Sequence, residues 1–92
     1  MALFLVVVPH EPAQCIDAIQ ETISIGPGFE AAYEWGCLVG NHTGYVRVEA
    51  GGSEEAIDDY VPARWRSRAV AYRLANIDAR ALSRMRRDRG ES

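Results

Sequence analysis

Two cysteines and two histidines are the side chains of this sequence that could bind a soft metal ion or supply a nucleophile. They are His10, Cys15, Cys37 and His42, and the chain contains no others of either type. Thiolate sulfur and imidazole nitrogen are the ligands that zinc prefers in structural sites. The spacing matches no known zinc signature and includes no CxxC pair. The four residues therefore predict a zinc-like site only if the fold brings them together.

The same residues allow two other interpretations. Cys15 near the start of a predicted helix would have a lowered pKa, and His10 or His42 could act as its base, which would make a reactive thiol. Alternatively, Cys15 and Cys37 are small buried apolar side chains and His42 only lies on a turn. The residue types alone leave all three interpretations open.

A second group of polar side chains is predicted on one face of a sheet. It consists of Glu34, Tyr45, Arg47 and Arg73. An arginine in a half-apolar cavity suits a small carboxylate or enolate, and a glutamate beside it could transfer protons. The alternative is a cross-strand ion pair between Glu34 and Arg47, without a ligand.

The apolar pattern predicts the elements that must position these groups. Apolar and β-branched runs indicate strands, and apolar residues at helical spacing indicate helices that end at glycine or proline. The first helix would bury Cys15, Ile16, Ile19 and Ile23. The predicted elements are a strand at 3–8, a helix from 12 to 25, strands at 29–39 and 42–50, a helix at 53–61, a strand at 70–77 and a helix from 79 to about 89.

The second and third strands are predicted to form a hairpin whose loop is the dipeptide at 40–41. This loop places Glu34 opposite Arg47 and Trp35 opposite Val46. Gly36 would then lie under the ring of Tyr45. Complementary pairs at several positions favour this register, because a shift by one residue would turn one strand over.

The order strand–helix–strand–strand–helix–strand predicts a ferredoxin-like α+β domain over residues 1–77. It would have a four-stranded antiparallel sheet with two helices on one face, followed by a basic helical tail at 78–92. In this topology the first two strands are parallel. Their ends meet at one rim, where His10, Cys15, Cys37 and His42 are expected to converge.

At this point the chain resembles the dimeric α/β-barrel group, which includes the muconolactone isomerases, the small antibiotic-type monooxygenases and uncharacterised small bacterial proteins. The resemblance covers residues 2–77 and is mainly one of topology. The segment EWGCLVGNHTGY at 34–45 is similar to one found in those uncharacterised proteins. The resemblance implies that two subunits pack through the sheet faces that their helices leave open. It implies no catalytic residue, because no motif of the named enzymes is present.

The charge of the chain is divided between its two ends. Residues 1–63 carry ten acidic side chains and one arginine, whereas residues 64–92 carry nine arginines and three acidic side chains. A basic segment with an aromatic residue could bind nucleic acid. The protein is acidic overall, however, and its tail lacks aromatic residues, so we expect the tail to contact protein instead. The arginines of the tail are Arg80, Arg84, Arg86, Arg87 and Arg89.

No apolar run is long enough for a membrane span or for the core of a signal peptide, so a soluble, cytoplasmic protein is expected. Three functions remain open. The first is a homo-oligomeric binding or interaction module for a small ligand. The second is a cofactor-free enzyme of the isomerase or monooxygenase type, and the third is a metal-binding protein.

Overall fold

A computed structural model of the chain describes residues 1–26 and 32–90. It contains a four-stranded antiparallel sheet and, within those residues, three α-helices. The main elements, in chain order, are β1 (Ala2–Pro9), α1 (Cys15–Ile25), β2 (Tyr33–Trp35), β3 (Thr43–Ala50), α2 (Ser53–Tyr60), β4 (Val70–Leu74) and α3 (Ala79–Asp88). Short 3-10 turns precede α1 at Pro12–Gln14, follow β2 at Cys37–Val39 and follow α2 at Ala63–Trp65.

The strands lie in the order β2-β3-β1-β4, so β1 and β3 occupy the centre of the sheet. Alternate residues of a strand point to opposite faces. Phe4, Val6 and Val8 therefore share the buried face of β1. The core on this face also takes residues from both flanking helices, with Ala18 from α1 and Ala56 from α2. The other buried apolar residues of this core are Tyr33, Val46, Val48, Ala50, Val61 and Trp65.

The buried stripe of α1 differs from the predicted one. Ala18 and Thr22 are buried, whereas Ile16 is 70% exposed and Ile23 is 46% exposed. Thr22 tolerates burial because its hydroxyl donates a hydrogen bond to the carbonyl of Ala18. Helix α1 therefore faces the core through Ala18 and Thr22, with Ile19 half-buried, and not through Ile16 and Ile23.

The hairpin between β2 and β3 has a different register from the predicted one. Tyr33 lies opposite Val46 and Trp35 lies opposite Gly44, so the pairing is shifted by two residues. The chain leaves the sheet at Gly36, whose carbonyl accepts hydrogen bonds from the amides of Val39 and Asn41. The predicted part of this strand at 29–31 lies outside the described residues.

The side chains of strand β4 lie on the opposite faces of the sheet from the predicted ones, because Arg73 was expected on the same face as Glu34 and Arg47. Its pairing with β1 places Ala71 opposite Val6 and Arg73 opposite Phe4. Ala71 packs against the core, and α2 contacts β4 there. A small side chain leaves room for the helix. The larger Val70, Tyr72 and Leu74 consequently lie on the outer face of the sheet.

Candidate metal centre

The end of β1 carries His10 into the interior. Its side chain is buried, and its backbone amide donates a hydrogen bond to the carbonyl of His42 at 3.0 Å. This bond continues the β1–β3 pairing by one step and fixes the two histidines side by side. The ring lies between the two tryptophans of the chain, with centroids 6.1 Å from Trp35 and 6.2 Å from Trp65.

The two thiols reach the same place from short turns. Pro12–Gln14 forms a 3-10 turn in which the amide of Gln14 donates to the carbonyl of Glu11, and Cys15 then begins α1. Cys37 begins the turn that interrupts the hairpin. Both cysteines are half-buried and neither forms a disulfide. The predicted convergence at one rim is therefore present, but the Cys37 side is formed by a turn and not by a regular strand.

The side-chain atoms form a compact cluster. His10 Nε2 lies 3.1 Å from Cys15 Sγ and 3.2 Å from Cys37 Sγ. These three atoms all lie within 4.8 Å of one another, which is close enough to hold one metal ion. His42 lies at the edge of this cluster, where its Nδ1 is 3.2 Å from Cys15 Sγ. Two sulfurs and two imidazoles are thus adjacent, and His10 is the buried member.

Burial controls the protonation of this cluster. It lowers the pKa of His10, and the neighbouring His42 and Arg68 act in the same direction. The nearby backbone carbonyl of Val8 acts in the opposite direction and raises the pKa of His10. The Nδ1 atom of His10 nevertheless has no hydrogen-bond partner of regular geometry among the described residues. Partial burial raises the pKa of Cys37 to about 11, and the Cys15 thiol adds to this effect.

These directions bear on the chemistry that the cluster can support. Without metal, the Cys37 side chain is a protonated thiol at neutral pH and is therefore a poor nucleophile. A neutral imidazole with its proton on Nδ1 leaves Nε2 free to bind a metal ion. A divalent cation would displace the thiol protons and supply the positive charge that the cluster lacks.

The second predicted group is not assembled. Glu34 lies opposite Tyr45 on the outer face of the sheet, and Arg47 follows on the same face. Arg73 lies on the other face, because it pairs with the core residue Phe4. No ion pair joins Glu34 to Arg47 within residues 1–26 and 32–90.

The basic segment at 64–68 makes contacts that stabilise the fold. Arg64 pairs with Asp17 and Glu21 on α1, and Trp65 is buried with its indole N–H donating to Glu21. Arg66 donates to the backbone carbonyls of Asp58 and Val61. Arg68 donates to the side-chain oxygen Oε1 of Gln14. These bonds tie the segment after α2 to both helices. Sequence reasoning missed this role because the contacts of Arg64, Trp65 and Arg68 join residues more than 40 positions apart.

Comparisons with protein-family models, with curated proteins and with solved structures find no match to this chain. Among the residues that the structure describes, no helix has the length and apolar character needed to cross a bilayer.

Proposed function

We propose that this protein binds one zinc-like metal ion through His10 Nε2, Cys15 Sγ and Cys37 Sγ. The mutual proximity of these three atoms, on a buried histidine and two thiols, supports the proposal. Each comes from a different local element, so the ion would join the end of β1, the start of α1 and the turn after β2. Cys37 lies 27 residues from His10 in sequence, so a shared ion would stabilise the packing of the turn after β2 against the end of β1 and the start of α1.

The observed distances fit coordination after a small expansion. Zinc lies about 2.3 Å from sulfur and about 2.0 Å from nitrogen, so a tetrahedral site separates the two kinds of ligand by about 3.5 Å. The nitrogen–sulfur distances here are 3.1 and 3.2 Å. Each nitrogen–sulfur distance therefore needs to open by only about 0.3 to 0.4 Å, which small side-chain rotations supply.

His42 is the fourth candidate ligand. Its Nδ1 touches Cys15 Sγ but is not one of the three mutually close atoms. A small rotation of the ring towards the ion would give a closed site with two cysteines and two histidines, the arrangement of a structural centre. If His42 stays where it is, water occupies the fourth position, and the centre has the open form that catalytic zinc uses.

We also propose that the domain is ferredoxin-like. The alternation of elements from β1 to β4 and the sheet order β2-β3-β1-β4 support this assignment. In that topology β1 and β2 run parallel, so the segments that follow them lie at the same rim of the sheet.

Cobalt(II) provides the experimental test, because its absorption spectrum reports both thiolate ligation and tetrahedral geometry. We expect a thiolate-to-cobalt charge-transfer band and intense visible bands at one cobalt per chain. Cys15→Ser and Cys37→Ser should each remove much of the charge-transfer intensity. His42→Gln distinguishes a closed site, whose visible bands would change, from an open one, whose bands would persist.

Adventitious binding to the acidic surface needs its own control. Asp58→Asn combined with Asp59→Asn removes two exposed carboxylates of α2 that lie outside the cluster. This variant should bind cobalt as the unmodified protein does. A spectrum without a thiolate band, or one that survives loss of both cysteines, would refute the proposal.

A further inference from the structure

Helix α3 makes no extensive contact with the other described elements. It exposes an apolar stripe in which Leu82 is 41% exposed and Met85 is 52% exposed. Asp78 caps the helix by accepting a hydrogen bond from the amide of Ala81 at 2.7 Å. A helix of ten residues is marginal in water when nothing packs against it. The stripe is therefore the part of α3 that most needs a partner surface.

The outer face of the sheet is a second uncovered apolar surface. Three cross-strand pairs form an apolar strip on it, in which residues of β1 lie opposite residues of β4. Val70 and Tyr72 on this strip are 44% and 54% exposed. An antiparallel sheet can leave one face in water, but that face is then mainly polar. The pairs of this apolar strip are Leu3 with Leu74, Leu5 with Tyr72, and Val7 with Val70.

Helix α3 is basic, and the border of the apolar strip offers it one acidic side chain. Glu49 lies opposite Leu3 on the adjacent strand, and Arg47, two positions before it, lies opposite Leu5. It forms no ion pair within the described part of the chain. On α3, Arg86 lies beside Leu82 and Met85 and lines the same shallow groove. A period of 3.6 residues places the arginines at 80, 84 and 87 on the opposite side of the helix.

We propose that α3 of one copy lies across the outer sheet face of a second copy, and that α3 of the second copy lies across the outer sheet face of the first. Leu82 and Met85 would cover the apolar strip at Leu5 and Tyr72, and Arg86 would reach Glu49. A second copy is the occupant that fits, because this one chain carries both the uncovered basic helix and the uncovered apolar strip with Glu49 at its border. A two-fold arrangement covers both surfaces of both copies at once.

This proposal revises the predicted role of the basic tail. Arg86 is the arginine placed to pair across the interface, whereas Arg80, Arg84 and Arg87 stay at its solvent side. Their charge would still attract the acidic body of the second copy at long range, where residues 1–63 carry a net charge of −9. Association should therefore weaken as salt is raised.

The mass of the full chain in solution, measured by sedimentation over a range of concentrations, tests the proposal. We expect a dimer for the unmodified protein. Leu82→Ser combined with Met85→Ser should raise its dissociation constant about 100-fold, from the apolar area that the two side chains no longer bury. The matched control is Ile16→Ser with Ile23→Ser, which replaces two exposed apolar residues of α1 and should leave the dimer intact.

Charge reversals test the orientation of α3. Arg86→Glu should raise the dissociation constant about five- to tenfold, and adding Glu49→Arg should restore it. Arg84→Glu, on the far side of the same helix, should have a smaller effect. The proposal fails if the unmodified chain is monomeric, or if loss of Leu82 and Met85 leaves the dimer unchanged. A monomer that binds duplex DNA or anionic vesicles through Arg80 and Arg84 would overturn it in favour of an anionic partner.

Discussion

Replacing Gly44 by alanine tests the register of the β2–β3 hairpin, on which the position of the metal centre depends. A Cβ atom at Gly44 would lie 2.8 Å from Trp35 Cζ3 and 3.1 Å from Trp35 Cε3. The ring is held in place, because it stacks on Tyr33 with centroids 5.2 Å apart and also contacts His10. The added methyl group must therefore displace a fixed aromatic side chain.

The expected cost can be worked out from two opposing effects. Inserting a methyl group into a packed contact costs about 1 to 3 kcal/mol. Exchanging glycine for alanine within a strand recovers about 0.5 to 1 kcal/mol of backbone entropy. The midpoints of the two ranges leave a net loss of stability of about 1 kcal/mol, which lowers the melting temperature of a domain this size by about 4 to 8 °C. Urea unfolding followed by circular dichroism measures the loss directly.

A double-mutant cycle separates this clash from other effects of the substitution. In a Trp35→Val background the ring is absent, so Gly44→Ala should be neutral or slightly stabilising. The register predicted from the sequence places Trp35 opposite Val46, where Gly44 would not meet the ring. If Gly44→Ala is neutral in the unmodified protein as well, the shifted register is wrong.

Three further predictions follow from the core and the cluster. Burial raises the pKa of Tyr33 well above 10, so folding favours its neutral form; the contribution of Tyr33 to stability should be constant below about pH 10 and fall above it. Tyr33→Phe should reduce that fall, while the lost hydrogen bond to the Tyr60 carbonyl costs about 1 to 2 kcal/mol in urea unfolding near pH 7. Glu21→Ala should destabilise the protein by about 1 to 3 kcal/mol by leaving the buried indole N–H of Trp65 without its acceptor, whereas a neutral result would contradict that role. Because the pKa of Cys37 is about 11, metal binding must expel the proton of this thiol. Its loss should make the affinity for the metal rise about tenfold per pH unit between pH 7 and 9 in competition titrations, and a flat profile would exclude Cys37 as a ligand.

The sequence predicted the elements with long, consistent patterns. β1 is a continuous apolar run, and the predicted helix at 53–61 is present as α2, with Ala56 and the following Val61 buried in the core. Asp78 caps α3 as expected for its residue type. These features depend on local periodicity and capping, which a single sequence displays directly.

The errors arose where packing overrides local pattern. The alternation in β4 does not determine which of its faces packs against the helices. Ala71, and not Tyr72, lies on the core face, because a small side chain leaves room for α2. The dipeptide at 40–41 suggested a tight hairpin, but Gly36 ends the strand earlier by accepting two backbone hydrogen bonds. The cluster of His10, Cys15, Cys37 and His42 was nevertheless predicted from the sequence, because the topology brings these residues to one rim even though the hairpin register differs.

The most direct test of the metal centre is an equilibrium zinc titration against a coloured chelator, combined with thermal unfolding. We expect one zinc per chain. At a free zinc concentration about 100 times the dissociation constant, the stabilisation should be about 2.7 kcal/mol, which raises the melting temperature by about 10 to 20 °C. Cys15→Ser combined with Cys37→Ser should abolish both. Zinc binding below stoichiometry, or equal stabilisation of the variant without cysteines, would contradict a metal site built on His10, Cys15 and Cys37.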